Sequence, residues 1–399
     1  MKRNHNCGEL QLKSENARPD TLQAVADFSV RLLQNSYHRA NTLLSPVSLL
    51  AVLTMVQLGA GGRTKKELDQ AMGADAANMM QLPNRLFMPE QERPEDTPCA
   101  RLLGNEQPAT ITFANALWLN IDGRVHFRPE YLQDCKNISH ADIQQIPFDS
   151  AACDAINQWA EEKTNGQISR VVDSLPEDAA MFLANALFFD GKWMEAYQPW
   201  DVKKRIFTSS DGRTQPVEFM EGEENQYLLD DQAQGFIKHY QGGRYAFAAL
   251  LPNEDVSLQS YIAGLDGERL LAILENPRKN KVKTRMPKFA VEQKLDLKGS
   301  LLQMGIQDAF NQQSADFSKV GIPTDSTDNL CIGDVWQINK INVNEDGTQA
   351  ISFTGMDVMC LKSCVEPEPY HVYLDRPFLY MIIDKQTKLP LFMGTVDSL

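Results

Sequence analysis

Residues 45–68 read SPVSLLAVLTMVQLGAGGRTKKEL, and this stretch decides what kind of fold the chain can adopt. Ser45 offers a hydroxyl cap, and Pro46 suits the first position of a helix. The run from Leu49 to Leu58 is apolar on almost every side, which predicts a helix that passes through the middle of a core. We therefore first expect a globular fold with a large buried core.

A membrane span is the alternative interpretation, because residues 43–62 contain no charge. Polar residues interrupt this run and glycines end it, which favours a buried helix of about ten residues. We therefore expect no membrane span. The interrupting residues are Ser45, Pro46, Ser48 and Gln57, followed by glycines at 59, 61 and 62.

Outward from this helix, the patterns alternate between helical and strand periodicity without a break in composition. Thr64 and Glu67 have the spacing of a capping box, which predicts a further helix after the buried one. The predicted helices are residues 21–36, 49–58, 64–73, 151–164 and 295–304. The predicted strands are residues 110–120, 181–189, 205–207, 217–219, 226–228, 245–251, 281–289 and two within 378–396.

These elements predict an α+β fold in a single domain over residues 21–399. Residues 1–20 are predicted to be a flexible extension, and the five prolines within residues 74–108 predict an irregular surface excursion. The strands over 110–120 and 181–189 share the string ANAL. Two strands of one sheet under similar packing demands explain the shared string better than a repeat does.

Composition excludes several classes of function. The net charge of -14 opposes binding to nucleic acid. The six histidines and seven cysteines show no metal-ligand spacing, and we interpret the cysteines as mostly free thiols. Hydrolase, metalloprotease and phosphate-loop motifs are absent, so we expect no enzyme, metal or cofactor. No signal peptide is visible at the start.

The segment from Asn344 to Arg376 resists an ordinary structural interpretation, since thirty residues of mixed pattern separate two convincing strands. Loops of that length are usually functional. Gly347 has the backbone freedom that a hinge requires. Beyond it, one face of an extended chain would carry small side chains and the other would carry Ile351 and Phe353. The small residues of the first face are Thr348, Ala350, Ser352 and Thr354.

Together these residues resemble the serpin family from about Thr21 to the C-terminus. The matching segments come in the family's order. They are residues 45–68; LANALFFDGKW ending at Trp193; Pro287-Lys288-Phe289; Asn344 to Thr348; Asp375 to Leu379; and Pro390 to Gly394. An inhibitory serpin is the member we expect, with a prokaryotic source left open.

The resemblance implies three β-sheets, eight or nine helices and an exposed reactive loop over about 345–370. It implies that a protease is trapped when the cleaved loop inserts into the central sheet. Two sets of residues would serve this change. The hinge set is Glu345, Gly347, Thr348, Ala350, Ser352 and Thr354. The sheet-opening set is Ser45, Pro46, Ser48, Asn185, Trp193 and Lys288.

Two features depart from the family pattern. The usual run of alanines in the hinge is broken, and Gln337 stands where many members have a histidine. Both features concern the rate of loop insertion. A non-inhibitory binding or carrier protein of the same fold is the alternative function.

The family's spacing from Glu345 makes Leu361 the residue before the cut. A cut between Leu361 and Lys362 suits chymotrypsin-like or elastase-like proteases, whereas a cut between Lys362 and Ser363 suits trypsin-like ones. Cysteine proteases stay open as targets, and a heparin-type cofactor is not favoured. We expect a monomer, and the function favours an extracellular, periplasmic or cell-surface location.

Overall fold

The computed structural model describes residues 19–73, 108–176, 178–325, 329–348 and 368–399, and these form an α+β fold. Within those ranges there are eight α-helices, as the resemblance predicted. They are α1 (Pro19–Ser36), α2 (Pro46–Gly59), α3 (Gly62–Met72), α4 (Pro129–Ser139), α5 (Ser150–Lys163), α6 (Leu258–Ala263), α7 (Gly267–Glu275) and α8 (Lys298–Gln303).

The strands form three large sheets and a two-stranded ribbon. The central sheet has the order β12 (Phe289–Asp296), β14 (Trp336–Val343), β15 (Gly347–Thr348), β5 (Met181–Lys192), β2 (Thr110–Asn120), β4 (Asp142–Ile146). The rear sheet has the order β1 (Thr42–Leu44), β18 (Pro390–Val396), β17 (Phe378–Asp384), β10 (Tyr245–Pro252), β9 (Ala233–His239), β8 (Tyr227–Leu229).

The four-stranded sheet has the order β16 (Tyr370–Tyr373), β11 (Val282–Pro287), β7 (Thr214–Glu224), β6 (Val202–Thr208). The ribbon pairs β13 (Gly321–Pro323) with β3 (Val125–Phe127). Strand β16 pairs with β11 in parallel, and it directly follows the segment predicted to be the reactive loop.

The main core lies between the central and rear sheets. Every residue of β10, β17 and β18 is buried, and aromatic rings of the two sheets meet, as Phe289 does with Phe378 and Tyr380. Helix α2 contacts both β5 and β18, so it is surrounded by apolar side chains on all sides. This position explains why its sequence lacks a polar face.

The ANAL strings lie in neighbouring strands. Strands β2 and β5 pair antiparallel, with Asn115 directly opposite Asn185. The expectation of two strands in one sheet is therefore confirmed. Helix α5 packs across the outer face of these strands, where Trp159 meets Trp118 edge-on at 5.3 Å between ring centroids.

Two local predictions are wrong. Helix α3 begins after Gly61 without a side-chain cap. The Thr64 hydroxyl instead accepts from the Asp316 amide at 2.9 Å, and the Glu67 carboxylate accepts from the amides of Gln307 and Asp308. Both side chains bind a distant segment, because the packing of α3 brings that segment's amides within reach.

The second correction concerns residues 281–304. The predicted strand is two strands, β11 and β12, which belong to different sheets and are separated by Lys288. Leu295 and Asp296 belong to β12, so helix α8 begins only at Lys298. Sequence periodicity does not report a change of sheet, since both strands are half-buried in the same alternating way.

Candidate functional site at the opening of the central sheet

Strand β15 is the shortest in the central sheet and marks its opening. Thr348 lies between Val343 of β14 and Gly191 of β5, and Gly347 lies opposite Lys192. Among the described residues, this two-residue strand is the only one paired between β14 and β5. Since β5 is twelve residues long, most of its length on this side is without a described strand partner.

A narrow crevice with an open mouth lies below Thr348. Its walls come from both flanking strands and from residues 164–168 after helix α5, and its floor comes from the rear sheet. The lining includes Leu187, Phe188 and Phe189 of β5, Lys340 and Ile341 of β14, and Ile382 and Phe392 of the rear sheet. A chain segment entering here would find an apolar floor and two strand edges.

Gly347 occupies a place that no other residue fits. A Cβ atom there would lie 2.2 Å from the Gly191 carbonyl oxygen and 2.7 Å from the Lys192 Cα. The preceding turn is closed by Asn344, whose side-chain oxygen accepts from the amides of Asp346 and Gly347. The predicted hinge glycine is thus required by a close backbone approach to β5.

Trp193 holds this turn from the end of β5. Its indole N–H donates to the Asn344 carbonyl at 2.9 Å, and its amide donates to the Asp346 carbonyl at 2.9 Å. The indole stacks on Tyr240, with ring centroids 4.5 Å apart. The Tyr240 hydroxyl lies 2.6 Å from the Thr348 hydroxyl, so the rear sheet contacts the hinge directly.

Lys288 and Glu345 form an ion pair at the same end of the sheet. The Lys288 ammonium lies 2.9 Å from Glu345 and 3.2 Å from Glu218. Burial opposes charging of both partners, but the hydrogen bond to Lys288 lowers the pKa of Glu345, and the carboxylates raise the pKa of Lys288. The four-stranded sheet and the hinge are thus joined through Lys288.

We expect Lys288→Gln to speed inactivation of the native protein by about two- to fivefold at low salt, as for a half-exposed ion pair. The difference should shrink at high salt because screening weakens the pair. In the wild type, the stabilisation that the ion pair gives the native protein should also be lost as the pH falls below 4.5, the ordinary pKa of Glu345. The fraction of protein that stays in the native form during incubation, followed by native gel electrophoresis, measures the rate.

Lys65→Gln is the matched control, since Lys65 forms a similarly half-exposed ion pair with Asp69 at 2.7 Å on helix α3, away from the sheet opening. An equal acceleration by both variants would contradict a specific role for Lys288.

Helix α2 ties together the two strands that flank the opening. The Ser45 amide donates to the Gln337 side-chain oxygen on β14 at 2.9 Å, and the Gln337 amide group donates back to the Ser45 carbonyl at 2.9 Å. Ser45 also caps the helix through the Ser48 amide, and Pro46 occupies the first turn, as predicted.

The second connection runs from α2 to β5. The Ser48 hydroxyl donates to the Asn185 side-chain oxygen, and the Asn185 side chain donates to the Asn115 side-chain oxygen at 2.8 Å. Asn115 in turn donates to the Ser139 carbonyl at the end of α4. Parting β14 from β5 must break either this chain of bonds or the Ser45–Gln337 pair.

The structure thus brings nine predicted residues together, some at one end of the central sheet and the others on the face that packs against helix α2. They are Ser45, Pro46, Ser48, Asn185, Trp193, Lys288, Glu345, Gly347 and Thr348. The predicted residues Ala350, Ser352, Thr354, Leu361, Lys362 and Ser363 lie outside the described residues.

Sequence reasoning missed several residues that complete the site, namely Asn115, Tyr240, Asn344 and Asn339. Asn339 donates to the Gln337 side-chain oxygen at 2.8 Å. The shared ANAL string was a signal for Asn115, because it carries an asparagine in each of two apolar strands. Tyr240 carries no such signal, since its partner Thr348 lies 108 residues away.

The described residues show no group of three His, Cys, Asp or Glu side chains that could hold a metal ion. Within the same residues, Cys135, Cys153 and Cys331 carry free thiols, while Cys7, Cys99, Cys360 and Cys364 lie outside them. No helix in the described part is both long and apolar enough to cross a membrane.

Comparison with known proteins identifies the family of this chain. The family model "Serpin (serine protease inhibitor)" matches residues 23–399, so the chain belongs to the serpin family. An uncharacterized serpin-like protein of Thermococcus kodakarensis is 28% identical over 392 residues, covering 96% of this chain and 86% of that protein. Relatives of this protein thus include archaeal serpins.

Two solved structures show the fold. Native tengpin, a thermophilic serpin, is 32% identical with a TM-score of 0.85, and the match covers 96% of each chain. Human thyroxine-binding globulin in complex with its ligand is 22% identical with a TM-score of 0.78, covering 95% of this chain and 98% of that one. The latter likeness shows the fold alone.

Proposed function

We propose that this protein inhibits serine-type endopeptidases as a suicide substrate and is not itself an enzyme. The observation that carries the proposal is strand β15, which already pairs with both β14 and β5 at the top of the apolar crevice. An arm that follows Thr348 would continue this pairing downward. The family description of serine protease inhibitor supports the same function.

The chemistry belongs to the target protease. Its serine oxygen attacks the carbonyl carbon of Leu361 or Lys362, and the peptide bond to the next residue breaks. The new amine leaves with a proton from the protease's general acid, so an ester joins the loop to the serine. An arm of about 15 residues from Gly347 spans roughly 50 Å at strand rise, enough to carry the protease along the sheet.

Insertion makes the trap irreversible because it adds ladder hydrogen bonds to two strand edges and covers the crevice. A distorted protease cannot hydrolyse the ester, since hydrolysis needs the aligned general base and oxyanion hole.

The test is incubation with trypsin, chymotrypsin and elastase, followed by electrophoresis in SDS. The proposal expects a covalent band at the summed mass for at least one protease, and mass spectrometry of the released C-terminal peptide identifies the bond. Clean cleavage of the loop without any complex would overturn it and point to a non-inhibitory binding or carrier protein.

The two adjacent bonds lead to a separate prediction. Lys362→Ala should abolish trapping of trypsin, which requires a basic residue before the cut, while trapping of chymotrypsin or elastase at Leu361 persists. Leu361→Ala is the reciprocal variant. If Lys362→Ala loses both activities together, the two proteases do not use separate bonds.

A further inference from the structure

Positive charge collects at the end of the rear sheet where β9, β10 and β17 meet. His239 lies opposite Ala246, and Ala246 lies opposite Ile383. Directly opposed residues share one face of an antiparallel sheet, and the faces alternate along each strand. Lys385 comes two residues after Ile383, in the turn just beyond β17, and so lies at the same end of the sheet as His239. Its amide donates to the Arg244 carbonyl at 2.9 Å, which holds this turn against β10.

The His239 imidazole is half-buried and incompletely bonded. Its Nδ1 atom is buried and has no hydrogen-bond partner among the described residues. Burial, together with the nearby ammonium groups of Lys385, Lys238 and Lys388, lowers the pKa of His239 to about 4. The imidazole is therefore neutral at pH 7, because burial and the nearby positive charges both oppose its protonation.

Two of those lysines have no counter-charge among the described residues. Lys385 and Lys388 are half-buried, and in the described part of the chain neither ammonium group has an ion pair or a hydrogen bond. Burial and the charge of Lys388 both lower the pKa of Lys385. The turn that carries them is ordered, since the Lys388 amide donates to the Asp384 carbonyl at 2.8 Å.

Two neighbouring carboxylates, those of Asp384 and Glu224, already have hydrogen-bond or ion-pair partners. Asp384 accepts from the Arg244 guanidinium at 3.2 Å and from the amide and hydroxyl of Thr387. Glu224 pairs at 2.8 Å with Lys238, which points to the opposite face of the sheet from His239. Among the described residues, no carboxylate is hydrogen-bonded or ion-paired to these two ammonium groups or to the imidazole.

We propose that His239, Lys385 and Lys388 form a binding site for a tetrahedral oxyanion, sulfate or phosphate. Two half-buried like charges without a counter-charge repel each other, and a divalent anion removes that repulsion. An anion bound there also favours protonation of His239, whose two ring nitrogens then both donate. Charge-assisted hydrogen bonds from three donors suit an anion with several oxygens better than chloride.

The site is next to the hinge. Tyr240 follows His239 directly, and its hydroxyl contacts the Thr348 hydroxyl. The His239 carbonyl accepts from the Met194 amide at 2.9 Å, beside Trp193. A bound oxyanion would therefore stabilise the folded state by mass action at a point next to the hinge.

Thermal unfolding of three proteins tests the proposal without any protease. They are the wild type, Lys385→Gln with Lys388→Gln, and the control Lys204→Gln with Lys283→Gln, which removes two exposed charges from the four-stranded sheet. Each is unfolded in sulfate or phosphate up to about 10 mM, where general salting effects are small, and in sodium chloride of equal ionic strength.

We expect a saturable rise of the wild-type midpoint by about 2 °C or more in sulfate or phosphate but not in chloride. The control should show the same rise. The Lys385/Lys388 variant should begin with a higher midpoint at low salt, because its repulsion is gone, and then gain no saturable rise. An equal gain in all three proteins, or no gain in the wild type, would overturn the proposal.

The His239 imidazole gives an independent readout by NMR. Without oxyanion, its depressed pKa makes native stability fall as the pH drops from 6.5 toward 4, since the unfolded chain binds the extra proton. Sulfate should raise the pKa of His239 and reduce this loss, and His239→Gln should remove that linkage. An unchanged pKa at saturating sulfate would exclude His239 from the site.

The source of the anion is decided by comparing inorganic sulfate with a sulfated polysaccharide at equal sulfate concentration. A larger shift with the polysaccharide identifies a polymeric ligand, and an equal or smaller shift identifies the free ion.

Discussion

Replacing Thr348 with arginine is expected to convert the proposed inhibitor into a substrate. Thr348 is 3% exposed, and its hydroxyl contacts the Tyr240 hydroxyl above the apolar crevice. A guanidinium there would be buried without a partner, which costs several kcal/mol. Strand β15 could not remain between β14 and β5, so the cleaved arm would have no starting point for insertion.

The measurement is the ratio of covalent complex to cleaved, unbound inhibitor for a protease that the wild type traps. Because about 1.4 kcal/mol corresponds to tenfold, we expect the trapped fraction to fall by about a hundredfold or more. Cleavage of the loop itself should continue at a similar rate, since the substitution is distant from the reactive bond in sequence.

Two controls separate the buried position from the substitution. Thr348→Ser keeps the hydroxyl and should keep trapping, and Thr208→Arg adds the same charge at an exposed position. A full yield of complex from Thr348→Arg would contradict insertion between β14 and β5. If the wild type traps no protease at all, the inhibitory function itself is wrong.

Among the variants described, removal of the Trp193 side chain should cause the largest loss of native stability. Trp193 is 1% exposed, stacks on Tyr240 and meets Phe247 edge-on at 5.9 Å. Trp193→Ala leaves a cavity and an unpaired Asn344 carbonyl, which together cost about 3–5 kcal/mol. Since the proposed trapping mechanism requires a native state that is held kinetically, the half-life at elevated temperature is the appropriate measure.

Trp200 provides a matched control within the same chain, because it is 73% exposed. Trp200→Ala should change the free energy of unfolding by about 0.5 kcal/mol or less. Trp193→Phe keeps an aromatic ring but loses the indole N–H, so an intermediate loss of about 1 kcal/mol is expected. Equal half-lives for Trp193→Ala and Trp200→Ala would contradict the hinge-holding role of Trp193.

Local sequence was sufficient to predict those elements whose formation depends only on their own residues. The cap at Ser45, the proline after it and the apolar run to Leu58 define α2 without reference to any other element. The aromatic and branched runs of β2 and β5, bounded by turn residues, predict two strands in the same way. Gly347 was also predictable, because a glycine after a strand and before a long loop marks a point of backbone freedom.

Only the tertiary structure decided which polar groups bond across the sheet opening. Ser48, Asn185 and Asn115 come from three elements, and their partnership depends on α2 lying beneath the gap between β14 and β5. Glu67 shows the reverse case. Its spacing predicts a local capping box, but its carboxylate accepts hydrogen bonds from the amides of Gln307 and Asp308, far away in sequence.

The physical reason is that periodicity reports how far a side chain is buried and not what it is buried against. Sequence by itself therefore determined the class of fold, the buried helix and the position of the hinge. The contact of Tyr240 with Thr348, the change of sheet at Lys288 and the unpaired charges near His239 were decided by topology, which brings strand ends together across more than a hundred residues.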